Sequence, residues 1–142
     1  MKIKAITLWQ PWASFMAAGM KRNETRSWAT RYRGPLAIHA AAKIPQKGEI
    51  PLDVLSFAVR ELGHWRYWPL GKILCVIKLW DIDKNPMSPA DPIEAMLGHY
   101  GVGRYAWKTQ MLQVFDEPIP AKGKQGLWDW EWPEALKVRQ LP

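Results

Sequence analysis

Two stretches of the N-terminal third, TLWQPWAS at residues 7–14 and GMKRNETRSW at residues 19–28, decide how the chain is interpreted. Pro11 suits the first turn of a helix, because an N–H group has no helical partner at that position. Apolar residues follow at helical spacing and Gly19 stands near their end, which predicts a short helix over residues 11–19. Glu24–Trp28 then alternates with period two, which predicts a strand.

Hydrophobic periodicity predicts the remaining elements. One helix carries a single apolar stripe and ends at Gly63, and the strand after Gly71 is apolar on both faces, as is typical of a central strand. A change of phase near Gln110 indicates a bulge. Besides Glu24–Trp28, the predicted strands are Lys2–Leu8, Leu36–Ala41, Ile73–Ile82 (the strand after Gly71) and Tyr105–Phe115, and the segment Leu127–Trp130 follows them. Besides the short helix near Pro11, the predicted helices are Pro51–Leu62 (the one that ends at Gly63) and a terminal helix at Glu134–Arg139.

The order of these elements favours a mixed α+β fold over a doubly wound parallel sheet. Strands and helices do not alternate regularly, and more than one strand is apolar on both faces. We therefore predict a small, bent β-barrel of about five to six strands decorated by two to three helices. The length of 142 residues suits one domain that spans residues 1–142.

Composition excludes several classes of protein. The longest apolar run, Ile73–Trp80, is interrupted by Lys78 and is too short to cross a membrane. The N-terminus has no signal-peptide pattern, so we expect a cytoplasmic protein. The single cysteine, Cys75, allows no intrachain disulfide and reads as a buried, inert thiol. The three histidines lie far apart in the sequence, and we expect neither a metal nor a cofactor.

The positive charge is concentrated near the N-terminus. Residues 1–47 hold nine lysines and arginines and one acid, Glu24, whereas residues 48–142 hold eleven bases and twelve acids. A concentrated positive electrostatic field suits a polyanionic partner, although a solvated basic surface would give the same distribution of charge.

The densest polar constellation contains Lys21, Glu24 and Arg26. Glu24 and Arg26 share one face of the predicted strand, so their side chains can meet. One interpretation is an ion pair that neutralises a partly buried site. The other is a cleft with a lysine point charge, a planar arginine fork and a carboxylate, which together suit phosphate and a nucleobase amino group.

Other candidate residues fit a structural role as well as a functional one. His39 reads more readily as a hydrogen-bonded structural histidine than as a catalytic one. The basic loop Lys122–Gly126 lacks the pattern of a nucleoside-triphosphate loop. Trp65 and Trp68 flank Arg66 in a way that suits either base stacking or a small core.

The two opening stretches, together with YRGPLAIHA at residues 32–40, resemble the ASCH (activating signal cointegrator homology) domain family. Lys122-Gly123 and Leu127-Trp128 resemble that family's closing segment. The resemblance implies a PUA-like β-barrel with a cleft between the short helix and the barrel. Related PUA domains bind RNA, and the family is generally viewed as binding nucleic acid.

The resemblance also implies a set of site residues. By position, Lys21, Glu24 and Arg26 would line the cleft, with Gln10 and Trp12 at its wall. Phosphates would meet basic side chains nearby, and an exposed tryptophan would contact a base. The full predicted set is Gln10, Trp12, Lys21, Arg22, Glu24, Arg26, Trp28, Arg31, Arg33, His39, Lys122 and Lys124.

Two alternatives stand beside binding of RNA, DNA or a nucleotide-like small molecule. The family includes small hydrolases, and one branch deacetylates N4-acetylcytidine with a Lys, a Thr and a Glu. Lys21 matches the Lys of that branch, and Glu24 stands where the branch has its Thr. The catalytic Glu of the branch would fall near Lys78, which has the opposite charge. A hydrolase on a modified nucleoside or RNA would use Lys21 as base or nucleophile, Glu24 as its partner and Arg26 as charge stabiliser. The other alternative is a protein-interaction module, without catalysis, that exposes Trp65 and Trp68.

Overall fold

The strand Lys72–Lys84 lies in the middle of the sheet in a computed structural model of the protein, which describes residues 1–133. The described residues form six strands and three α-helices, so the mixed α+β prediction is confirmed. In chain order the elements are β1 (Lys2–Leu8), α1 (Trp12–Ala17), β2 (Asn23–Arg26), β3 (Gly34–Ala40), α2 (Leu52–Leu62), a 3-10 turn (Trp65–Tyr67), β4 (Lys72–Lys84), α3 (Pro92–Leu97), β5 (Tyr105–Pro120) and β6 (Trp128–Glu131). The predicted helix at Glu134–Arg139 lies outside the described residues.

All six strands form one sheet in the order β2-β5-β4-β3-β1-β6. Strands β1 and β3 are parallel, and every other neighbouring pair is antiparallel. The long β4–β5 ladder shifts register three times, and one shift falls between Met111 and Gln113, close to the predicted bulge at Gln110. Such shifts bend a sheet and increase its twist.

The bent sheet does not close into a barrel, which corrects that part of the prediction. Among residues 1–133, β2 and β6 each pair with one neighbour and so form the two edges. The edge of β2 is covered from α3 instead, because the carboxylate of Glu94 accepts hydrogen bonds from the backbone amides of Arg22 and Asn23 at 2.8–3.1 Å.

Helix α3 lies in a proline-rich region, in which Pro86 and Pro89 precede the helix. Asp91 caps it by accepting hydrogen bonds from the amides of Ile93 and Glu94. Pro92 stands in the first turn, where its missing N–H breaks no helical hydrogen bond. The prolines therefore frame a short helix and do not prevent one.

The core lies on both sides of the sheet, because β4 is buried on both faces. Burial raises the pKa of the Cys75 thiol to about 12, which fits an inert core cysteine. Helix α1 packs on the sheet and is covered in turn by α2, through Phe15 and Phe57. No helix within residues 1–133 has the length and hydropathy to cross a membrane. The cytoplasmic location stays a prediction.

Candidate nucleic-acid interface

A chain of charged groups connects the end of α1 to β2. The ammonium group of Lys21, whose side chain is 1% exposed, donates a hydrogen bond to the carbonyl of Asn23 and lies 3.6 Å from Oε1 of Glu24. The other carboxylate oxygen of Glu24 lies 3.0 Å from Nε of Arg26. The Nε–H bond is not aligned with it, so the contact is an ion pair without a hydrogen bond. The structure thus brings Lys21, Glu24 and Arg26 together.

The three side chains nevertheless do not face one hollow. Glu24 and Arg26 line a cleft of about 380 Å³. Lys21 lines a separate cavity of about 660 Å³, beside β4 and β5. Because its ammonium group is buried and bound on the protein side, Lys21 acts as a countercharge for Glu24.

The first cleft, which we call the Arg26 cleft, combines tryptophan side chains with charged groups. Nη2 of Arg26 donates a hydrogen bond of 3.0 Å to the carbonyl of Thr7, which fixes the guanidinium against β1. Trp9 is 52% exposed, so its indole is available to a ligand. The side chains that define the cleft are Trp9, Trp12, Glu24, Arg26, Trp28, His99 and Arg104.

A second opening, the loop groove, adjoins the Arg26 cleft. Its volume is about 790 Å³, and it lies between β1, β3 and the loop that follows β5. It shares Trp9, Arg26 and Trp28 with the Arg26 cleft, and its lining also includes the exposed Lys122 and Lys124. Two basic, aromatic openings therefore meet at one arginine.

His39 forms part of the floor of the loop groove and is bound on both sides of its ring. Its Nε2 atom lies 2.7 Å from the carbonyl of Ala121, and its Nδ1 atom lies 3.1 Å from the hydroxyl of Thr7. Burial lowers the pKa of His39 and outweighs the hydrogen bond to Ala121, which raises it. The ring is therefore a neutral structural support for the loop.

Comparison with known proteins agrees with this architecture. The model of the ASCH domain family matches residues 6–134. This chain belongs to the ASCH domain family. It is also 49% identical over 45 residues to activating signal cointegrator 1 of Homo sapiens, and 47% identical over 45 residues to that of Mus musculus. Each match covers 32% of this chain and 8% of the relative, so the chain spans a small part of those proteins.

ASCH domains are PUA-like domains associated with RNA binding. In this ASCH domain, some predicted site residues lie outside the two openings. Gln10 is fully buried, where its amide binds the backbone N–H and hydroxyl of Ser14 and the carbonyl of Pro69. It therefore supports the start of α1 and forms no wall of the cleft.

The remaining basic side chains of the predicted site lie at the surface. Arg22 is exposed and borders the cavity that Lys21 lines. Arg31 and Arg33 are exposed between β2 and β3, and the guanidinium of Arg33 donates to the carbonyls of Thr30 and Tyr32. Neither arginine lines the Arg26 cleft or the loop groove.

Sequence reasoning missed the wall that the α3–β5 loop contributes. Arg104 donates hydrogen bonds to the carbonyls of Thr25 and His99, and the hydroxyl of Thr25 accepts one from the backbone N–H of His99. These bonds hold the loop against β2 and bring Arg104 into the cleft. The only sequence signal was the capped turn at Asp91-Pro92, which marks a helix start ahead of this loop.

Proposed function

We propose that this ASCH domain binds single-stranded nucleic acid, with a preference for RNA, across the Arg26 cleft and the loop groove. The observation that carries the proposal is the junction of the two openings at Trp9, Arg26 and Trp28. A bound strand would place one nucleotide in each of the two openings, on either side of Arg26. We also propose that residues 1–142 act as one unit, since the family match runs from residue 6 to residue 134.

The residue types suit a single strand better than a duplex. Indole faces stack on bases of any sequence, and they reach bases that a duplex would keep stacked. Lys122 and Lys124 line the same groove as Trp9, so they could meet the phosphates of a strand whose base stacks on that indole. Glu24 lines the other opening and could accept a hydrogen bond from a base amino group.

The hydrolase alternative receives less support from this geometry. Lys21 would need a free, deprotonated amine facing the same guest as Glu24 and Arg26. Its ammonium group is instead bound to Asn23 and Glu24, and it lines a different cavity. The interaction-module alternative required both Trp65 and Trp68 at the surface, whereas Trp68 is 4% exposed.

The test is a fluorescence-anisotropy titration of short labelled RNA and DNA of the same sequence, at low and at physiological salt. Trp9→Leu removes an exposed indole at the junction, and Trp65→Leu removes a similarly exposed indole elsewhere. We expect Trp9→Leu to weaken binding at least about fivefold, the low end for one base–aromatic stack, and Trp65→Leu to leave it unchanged. No binding by the unmodified chain at low salt, or equal losses in both variants, would refute the proposal.

A further inference from the structure

The cavity that Lys21 lines, which we call the Trp80 groove, is unrelated to the two openings described above. It lies beside the end of α1 and over β4 and β5, and it shares no lining residue with the Arg26 cleft or the loop groove. Its volume of about 660 Å³ is within the range of small-molecule sites.

The lining of the Trp80 groove separates into a basic rim and an apolar floor. Arg22 and Lys108 form the rim, Lys21 lines the groove with a side chain that is only 1% exposed, and none of the described lining residues is acidic. The floor consists of Met16, Ile77 and Met111, and the polar groups of Thr109 and Gln110 complete the wall. A lining of this kind favours an anion that also carries an apolar, flat part.

Trp80 supplies a surface for such a flat part. It is 51% exposed although it belongs to the central strand, next to a register shift of the β4–β5 ladder. The ammonium group of Lys108 lies 5.5 Å from the centroid of the indole and 3.0 Å from the carboxylate of Asp83. Asp83 therefore fixes Lys108 over one face of the indole, so a cation and an aromatic ring are presented together.

The rim at Arg22 is fixed as well. The carbonyl of Arg22 accepts hydrogen bonds from the backbone N–H and the hydroxyl of Thr109, at 3.1 and 2.6 Å. Glu94 holds its backbone N–H. The exposed side chain of Arg22 thus projects from a rigid backbone at the mouth of the groove, where a guanidinium can bind a phosphate bidentately.

We propose that the Trp80 groove is a second ligand site, which binds a nucleoside monophosphate group. The base would stack on the face of Trp80 that Lys108 does not cover, and the phosphate would lie between Lys108 and Arg22. Lys21 would not touch the ligand, because its ammonium group is bound to Asn23 and Glu24. The group could be a free nucleotide or the phosphorylated end of a strand.

The test follows amide and indole N–H signals by NMR during titration with AMP, CMP and inorganic phosphate. The chain has ten tryptophans, and the indole signal lost in Trp80→Leu identifies that of Trp80. We expect AMP to shift this signal, and Trp80→Leu and Lys108→Gln each to weaken AMP binding at least about fivefold. Inorganic phosphate, which cannot stack, should bind at least about fivefold more weakly than AMP.

Matched variants keep this site distinct from the Arg26 cleft. Trp65→Leu and Lys78→Gln remove an exposed indole and an exposed lysine elsewhere and should leave AMP binding unchanged, as should Trp9→Leu. An AMP affinity that is unchanged in Trp80→Leu, or that is lost in Trp9→Leu, would overturn the proposal, whatever the result for RNA. Competition by a 5′-phosphorylated oligonucleotide, but not by its unphosphorylated form, would identify a strand end as the source; equal failure of both to compete would identify a free nucleotide.

Discussion

The imidazole of His39 connects the sheet to the loop after β5: its Nε2 atom lies 2.7 Å from the carbonyl oxygen of Ala121. Since a carbonyl only accepts, Nε2 carries the proton and Nδ1 accepts from the hydroxyl of Thr7. That hydroxyl oxygen also accepts from the indole of Trp128, at 3.3 Å. A protonated ring would have to donate from Nδ1 to the Thr7 oxygen, so the hydroxyl would have to turn its own O–H away from the ring.

This arrangement predicts a pH dependence of stability. Burial lowers the pKa of His39 in the folded chain below its usual value, so the unfolded chain takes up the proton first as the pH falls. The free energy of unfolding should therefore decrease as the pH drops below about 6.5, until the folded-state pKa is passed. Urea unfolding between about pH 7 and pH 5 should give a smaller decrease for His39→Gln than for the unmodified chain. Equal decreases would contradict the prediction.

Gly123 lies against the same imidazole, and an added methyl group would have no space. A Cβ atom there would be 2.7 Å from Cε1 of His39 and 2.7 Å from the hydroxyl of Thr7. Both neighbours are held by hydrogen bonds, so Gly123→Ala should cost about 1–3 kcal/mol in the free energy of unfolding. Gln125→Ala, at an exposed position of the same loop, should change it by less than about 0.5 kcal/mol. Urea unfolding measures both, and equal effects would show that the loop is not packed as described.

Glu24 is the carboxylate on which the buried Lys21 depends. Glu24→Gln keeps the size of the side chain but leaves that ammonium group, 1% exposed, without its countercharge. We expect a loss of about 1–3 kcal/mol in the free energy of unfolding, because a charged group loses its partner inside the protein.

The matched control is Glu131→Gln, which removes an exposed carboxylate paired with the N-terminal amine at 3.0 Å. Exposed pairs contribute less than about 1 kcal/mol. Denaturation in urea at neutral pH compares the two variants. A Glu24→Gln protein as stable as the Glu131→Gln protein would mean that Lys21 does not rely on Glu24.

Much of the fold could be predicted because most elements carry a clear local pattern of apolar residues. Strand β4 is apolar on both faces, and helix α2 has a single apolar stripe, so neither depends on distant residues for its assignment. Helix α3 was missed because six residues are too few for a periodic signal, and its capping residue Asp91 stands among prolines. The open sheet could not be predicted either, since the cover of β2 comes from Glu94, about 70 residues along the chain.

The candidate site was predicted in part, for a related reason. Alternation along β2 places Glu24 and Arg26 on one face, and the structure joins them at 3.0 Å. Which cavity each side chain faces depends on neighbouring elements, so sequence could not separate Lys21 from Arg26. Gln10 lies beside the functional residues in the sequence, yet its three hydrogen bonds are all internal.

The salt dependence of RNA binding tests the role of Lys122 and Lys124. Both lysines are exposed on the loop groove, and each phosphate that a cation neutralises on a single strand contributes about 0.7 to the slope of log K against log salt. If each lysine contacts one phosphate, the double variant Lys122→Gln/Lys124→Gln should reduce the magnitude of that slope by about 1.4. Lys78→Gln/Lys84→Gln removes the same charge from exposed positions of β4 that line neither opening.

This control separates a local contact from the general positive field, because both double variants lower the net charge of +7 equally. We expect the Lys78→Gln/Lys84→Gln variant to keep the slope of the unmodified chain and to bind RNA only slightly more weakly at low salt. Anisotropy titrations at four or more salt concentrations supply the slopes. Parallel lines for both double variants would mean that Lys122 and Lys124 contribute through net charge alone, and the strand would then have to leave the Arg26 cleft by another route.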